Sequence, residues 1–217
     1  DDYKEDLANI YFHTKRYDEA LELLDELDLS WGESAYRDSL RRRIYSLTGN
    51  SEGAIKNLES KIDSNPKNEQ DYLNLIYLYS QEGDSEKAFE MARELLKQIP
   101  NSRKVHLALY KFYLENDQVV KALGSIKIVF QSEEISKESK FKMFGDYLSY
   151  VDEHPDLDAS VNEVIGYLSE SKDGALYEKI GNYFMSRKNP DMALQFYEKG
   201  VQLDSDNFSL LKNTLLL

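Results

Sequence analysis

An all-α fold, a right-handed superhelical solenoid of about six helix-turn-helix units, is what the sequence predicts, and three observations carry it. Apolar residues recur at helical spacing in short runs: within 69–102, Tyr72, Leu75, Ile76 and Tyr79 mark one helix face, Gly83 interrupts, and Ala88, Ala92, Leu95, Leu96 and Ile99 mark a second face that Pro100 ends. The spacing between such runs is regular. Ala20, Ala54, Ala88 and Ala122 follow one another at steps of 34 residues, as do Tyr11, Tyr45, Tyr79 and Tyr113, and Pro66 with Pro100. Finally, neither helix of such a pair can bury its apolar stripe alone, so successive units must stack into a continuous seam.

The pattern of an aromatic, an aliphatic and a small residue on the first helix, then Ala and an aromatic on the second, resembles the tetratricopeptide repeat (TPR). Residues 174–207 match it most fully: Tyr177, Ile180, Gly181 and Phe184 stand for W-x2-L-G-x2-Y, and Ala193 and Tyr197 for A-x3-F. The resemblance covers nearly the whole chain, which reads as one continuous solenoid domain.

Taken in order, residues 1–34 form the first unit, with Leu7, Ala8 and Tyr11 on one helix and Ala20, Leu24 and Leu27 on the next. Asp18 and Glu19 suit the positive end of that second helix. Residues 35–68 keep Tyr45, Gly49, Ala54, Leu58 and Pro66, with Asn50 as N-cap, but depart at Arg41, Arg42 and Arg43. Arginine at a helix-packing site is costly unless paired, so this helix is expected to be rotated, its arginines paired with Asp25, Glu26 and Asp28, and Arg42→Ala destabilising by about 1 to 3 kcal/mol.

Residues 69–102 are the full third unit, and 103–136 the fourth, with Leu109, Tyr113, Ala122, Ile126 and Val129. The fifth, 137–173, is degenerate: Phe141, Phe144, Gly145 and Leu148 mark its first helix, Val161, Val164, Ile165 and Leu168 its second, and an insertion is expected as a loop over 151–158. Residues 174–207 are the sixth, with Asn189-Pro190 opening its second helix. Residues 208–217 read as a truncated seventh, so both ends suggest a piece of a longer array. Leu211, Leu215, Leu216 and Leu217 lack a covering helix there, and either fraying or self-association through this stripe is expected.

The net charge of −13 argues against nucleic acid and anionic membrane surfaces as partners, and no apolar run approaches the ~18 residues of a membrane span, so no membrane insertion of this piece is expected. Charge alternates along the chain, from −8 over 1–34 to +3 over 35–68 and −4 over 69–102. With no cysteine, no phosphate loop, no nucleophile elbow and His13, His106 and His154 far apart, the sequence is read as non-catalytic, without cofactor or metal. His106 falls on the packing face, where a core histidine is expected.

The resemblance implies a protein-interaction scaffold whose first helices line a concave groove. Carried onto this sequence, the groove residues are Tyr36, Arg43, Leu73, Tyr77, Lys104, Leu107 and Lys111: aromatic and aliphatic anchors with cations that select an acidic segment. Leu73, Tyr77 and Leu107 read equally well as seam residues between units. Glu5 stands where chaperone-tail receptors of this family want lysine, which argues against that role. The alternative is a substrate-guiding arm of a larger cell-envelope enzyme or assembly complex; a purely architectural array is a third reading. The phrase YEKGVQLDSDNFSLL is similar to repeats of large bacterial envelope TPR proteins, often lipoproteins, implying a periplasmic or envelope setting, with the cytoplasm as the alternative.

Overall fold

A computed structural model of the 217-residue chain describes residues 2–168 and 173–217, so the end of the fifth unit, 169–172, lies outside the described residues. The described residues form thirteen α-helices and one short 3-10 turn, with no strand. This is an all-α helical-repeat solenoid. It divides into two compact units, Asp1–Ile99 and Pro100–Leu217.

The first unit holds α1 (Asp2–His13), α2 (Tyr17–Trp31), α3 (Ala35–Thr48), α4 (Ser51–Ser64), α5 (Glu69–Gln81) and α6 (Ser85–Gln98), each packed on the next. Its helices start where the sequence supplies caps: Asn50 Oδ1 accepts from Gly53 N at 2.8 Å and Asp84 Oδ1 from Lys87 N at 3.1 Å. Ala8, Phe12, Ala20, Leu24, Leu40 and Ile44 form one core cluster. Around α5 and α6 a second set, Tyr72, Leu75, Ile76, Ala88, Ala92 and Leu95, is buried.

Helix α3 has turned. It buries Arg37, Leu40, Arg41 and Ile44, whereas the apolar stripe of α5 is Tyr72, Leu75, Ile76 and Tyr79, with Asp71 buried at its start. Shifted by the 34-residue repeat, those two stripes differ by one residue, about 100° around a helix. The rotation puts Arg41 against α2, where its Nη2 donates to Asp25 at 2.7 Å and Asp28 at 2.9 Å. Arg37 joins it, donating to Asp28 and to Glu5, each at 2.6 Å. Arg42 is exposed. The expectation that Arg42 carries the pairing is therefore corrected to Arg41, because the buried stripe includes the first of the three arginines and turns the second outward.

The second unit holds α7 (His106–Glu115), α8 (Val119–Gln131), α9 (Lys137–Glu153), a 3-10 turn (Pro155–Leu157), α10 (Asp158–Leu168), α11 (Gly174–Ser186), α12 (Pro190–Leu203) and α13 (Phe208–Leu215) around one large core running from Tyr110 to Leu210. Asn189 caps α12 through Met192 N at 3.2 Å, with Pro190 at the first helical position. The residues expected as a loop over 151–158 are folded instead: α9 runs on to Glu153 and the 3-10 turn leads straight into α10. The apolar and cappable residues there satisfy their own backbone groups, as His154 N–H shows by donating to the carbonyls of Tyr150 and Val151. In α13, Leu210 is fully buried while Leu215 and Leu216 are exposed.

The repeat is written in the backbone as well. Lys15, Gly49, Gly83 and Asp117 follow at steps of 34, Lys188 lies two units and three residues further on, and all five have left-handed backbone, with φ between 54° and 80°. Each sits in the turn joining the two helices of a pair, where the chain must reverse in two or three residues. Glycine fills only two of the five.

Candidate functional site

The groove residues expected on the first unit project from α3 and α5. Tyr36 is half-exposed and donates its hydroxyl to Asn9 Oδ1 at 2.6 Å. The Arg43 guanidinium lies 5.0 Å from the centre of the buried Phe12 ring, a cation–π contact that leaves its outer face to solvent. Leu73 is half-buried, and Tyr77 is 62% exposed, too open to be a seam residue. On the second unit, Lys104 lies in the turn before α7 rather than on the helix, and Leu107 packs against the core. Lys111 is exposed and 3.6 Å from Asp146, which also accepts the Tyr110 hydroxyl at 2.8 Å. Burial, reinforced by Asp146, pushes that hydroxyl's pKa far up. Seen residue by residue, Tyr36, Arg43 and Tyr77 carry free surface, while Leu107 is committed to packing.

Beside Tyr77 the structure has a feature the groove pattern did not name: a cavity of about 400 Å³ between α3, α4 and α5. Its cause lies at the helix crossing. Where the first pair sets Ala8 against Ala20, both fully buried, the second sets Arg42 against Ala54. An arginine cannot be desolvated at so tight a contact, so it leans out, the helices splay, and Ala54 is only half-buried. The sequence signal was Arg42 itself, a charged residue at a position that takes Ala8, Ile76, Tyr110, Gly145 or Gly181 elsewhere in the array.

The cavity's inner end is charged, with an ion pair and a hydrogen-bonded carboxyl. Lys61, buried, pairs with Asp38 and lies 3.7 Å from Glu33. Asp71, also buried, accepts from Asn68 Nδ2 at 2.6 Å. Burial raises the Asp71 carboxyl above its ordinary pKa, with Lys61 and Arg42 pulling it back and Asp38 and Glu33 adding to the rise. Its walls mix Tyr45, Ala54, Leu58 and Leu78 with Asn57 and Asn74. This size and mixture suit a ligand pocket.

Elsewhere, His106 is half-buried with Nδ1 3.0 Å from Ser125 Oγ, and burial lowers its pKa; it is a packed, hydrogen-bonded residue of the second unit. Among the described residues no group of three or more His, Asp or Glu is placed to hold a metal ion, and no helix is long and apolar enough to cross a membrane.

Family models for the tetratricopeptide repeat match residues 2–27 and 175–207, the first and the last complete helix pairs, in the register that the alanines and tyrosines mark. The chain carries tetratricopeptide repeats. A PPR repeat model matches residues 72–98, the α5–α6 hairpin, whose Tyr79 and Ala88 keep the same 34-residue step. Among solved structures, MamA is 16% identical, with a TM-score of 0.51 over 76% of this chain and 95% of its own. A tetratricopeptide repeat protein from Parabacteroides merdae is 14% identical, with a TM-score of 0.49 over 99% of this chain and 97% of its own. No curated protein sequence matches the chain. At such identities the likeness is one of fold.

Proposed function

We propose that this repeat protein is a non-catalytic scaffold that holds an acidic peptide segment, or a partner protein presenting one, on the first-helix face. The observation that supports this reading most is the exposure of Tyr36, Arg43 and Tyr77 on α3 and α5: two aromatics and a cation on rigid helices, spent on little internal packing. Aromatic side chains bury large area at low entropic cost, and arginine adds charge selection, the make-up of interaction hot spots. In a chain of net charge −13, the exposed guanidinium of Arg43 also favours an acidic partner at this face.

The test is capture of partners by wild type, by Arg43→Glu with Lys111→Glu, and by Tyr77→Ala, alongside melting curves. Because all three side chains are exposed, the variants are expected to melt within about 0.5 kcal/mol of wild type. The charge reversal is expected to lose acidic partners and Tyr77→Ala to weaken them. Identical partner sets from equally stable proteins would sink the reading.

A further inference from the structure

The α3–α5 cavity exists because Arg42 stands at a helix crossing, a departure from the chain's own repeat that leaves space and a charge together. Inside, Lys61 is paired with Asp38, and Asp71 is hydrogen-bonded by the neutral amide of Asn68. The Arg42 side chain makes no hydrogen bond or ion pair with the described residues, although its charge acts on Asp71, and it is exposed at the rim. The rim also includes Tyr77, which belongs to the peptide face as well, so cavity and face are continuous through one residue.

We propose that this cavity is a socket for one large apolar side chain of a bound peptide, whose neighbouring carboxylate is taken by Arg42. The proposal rests on the scaffold reading above and names the contact that anchors the peptide. Tyr45, Ala54, Leu58 and Leu78 give the socket apolar wall, and Asn57 and Asn74 give it amides that can meet the peptide backbone. The cavity's volume of about 400 Å³ accommodates an aromatic or branched side chain with backbone attached. An uncharged, apolar occupant is favoured because the buried cation Lys61 is already held by Asp38, so a carboxylate carried to that depth would meet Asp38 and Asp71 with no free cation. A carboxylate beside it is favoured because the guanidinium of Arg42 offers a planar pair of donors at the mouth.

A random linear peptide library displayed on phage and panned on the whole chain supplies the probe, and the most enriched peptide is then synthesised with a fluorescent label. The enriched sequences are expected to share a large apolar residue next to Asp or Glu. Binding of the synthetic peptide is expected to weaken about tenfold or more in Arg42→Gln, to weaken less in Arg42→Lys, which keeps the charge without the paired donors, and to vanish in Ala54→Phe, which fills the socket. In wild type, the methyl resonances of Ala54, Leu58 and Leu78 are expected to shift on titration, a readout that needs no variant to fold. Enriched peptides that bind Ala54→Phe as tightly as wild type, or that leave those methyls unmoved, would overturn the socket. If such peptides are still lost in Arg43→Glu, the scaffold reading stands without it. A library with no enriched peptide overturns both.

Discussion

Asp28 of α2 holds Arg41 of α3 through one carboxylate oxygen at 2.9 Å, while its other oxygen takes Arg37 at 2.6 Å. Both guanidiniums are buried, and Asp25, the further partner of Arg41, is largely exposed. Desolvation works to lower the pKa of Arg41, yet its hydrogen bonds to Asp25 and Asp28 keep it above the ordinary arginine value. One acid therefore bridges two buried cations, with Glu5 on Arg37 and Asp25 on Arg41 completing the charge balance, while Arg41 Nε has no acceptor. Asp28→Ala is expected to cost about 3 to 5 kcal/mol, the penalty for stranding buried charge. Urea denaturation of Asp28→Ala, Arg41→Ala and the double variant checks it, and the cycle is expected to show strong coupling. Arg42→Ala is expected to behave oppositely, unchanged or more stable by up to about 1 kcal/mol, because it restores a small residue at the α3–α4 crossing.

The left-handed turn positions give a second expectation. Lys15 and Lys188 have φ of 61° and 57°, where a β-carbon crowds the backbone, while Gly83 meets the same demand at 80° without one. Lys15→Gly and Lys188→Gly are each expected to raise stability by about 1 kcal/mol, and Gly83→Ala to lower it by a similar amount. Thermal melts of the three single variants decide this; a loss of stability on Lys188→Gly would mean that its side chain contributes more than its backbone costs.

Two helical glycines occupy matching repeat positions and are expected to respond in opposite directions. A β-carbon at Gly181 would run into the ring of Tyr197, whose hydroxyl is anchored on Asn182 at 2.7 Å, whereas one at Gly145 meets nothing within 4 Å. Gly181→Ala is expected to destabilise by about 1 to 3 kcal/mol through overpacking. Gly145→Ala is expected to stabilise by about 0.5 to 1 kcal/mol, the helix-propensity gain. Chemical denaturation of both, side by side, is sufficient.

Asp71 sets an acid-side pH dependence. Burial raises its folded pKa above the unfolded value, so the native state holds this proton more tightly. Its stabilising contribution is then fully present below the unfolded pKa and is lost as pH rises through the folded one. Asp71→Asn keeps an acceptor for Asn68 and removes the titration. The variant is expected to gain stability relative to wild type between acid and neutral pH. A constant difference across that range would show that the charge is matched at every pH.

The helix pairs were legible in the sequence because helical periodicity and capping are local. Tyr72, Leu75, Ile76 and Tyr79 define a face whatever it packs against, and Asn50, Asp84 and Asn189 sit where their helices begin. The 34-residue steps of alanine and tyrosine likewise specified that the pairs repeat. Tertiary structure alone decided which face of α3 turned inward, since three adjacent arginines fan around 200° of a helix, and only the acids of α2 select Arg41 over Arg42. It also separated Gly145 from Gly181 and folded the residues around His154 into helix and 3-10 turn. It opened the cavity beside Tyr77 too, because a void depends on what two neighbouring helices fail to fill, and no single stretch of sequence contains both sides of it.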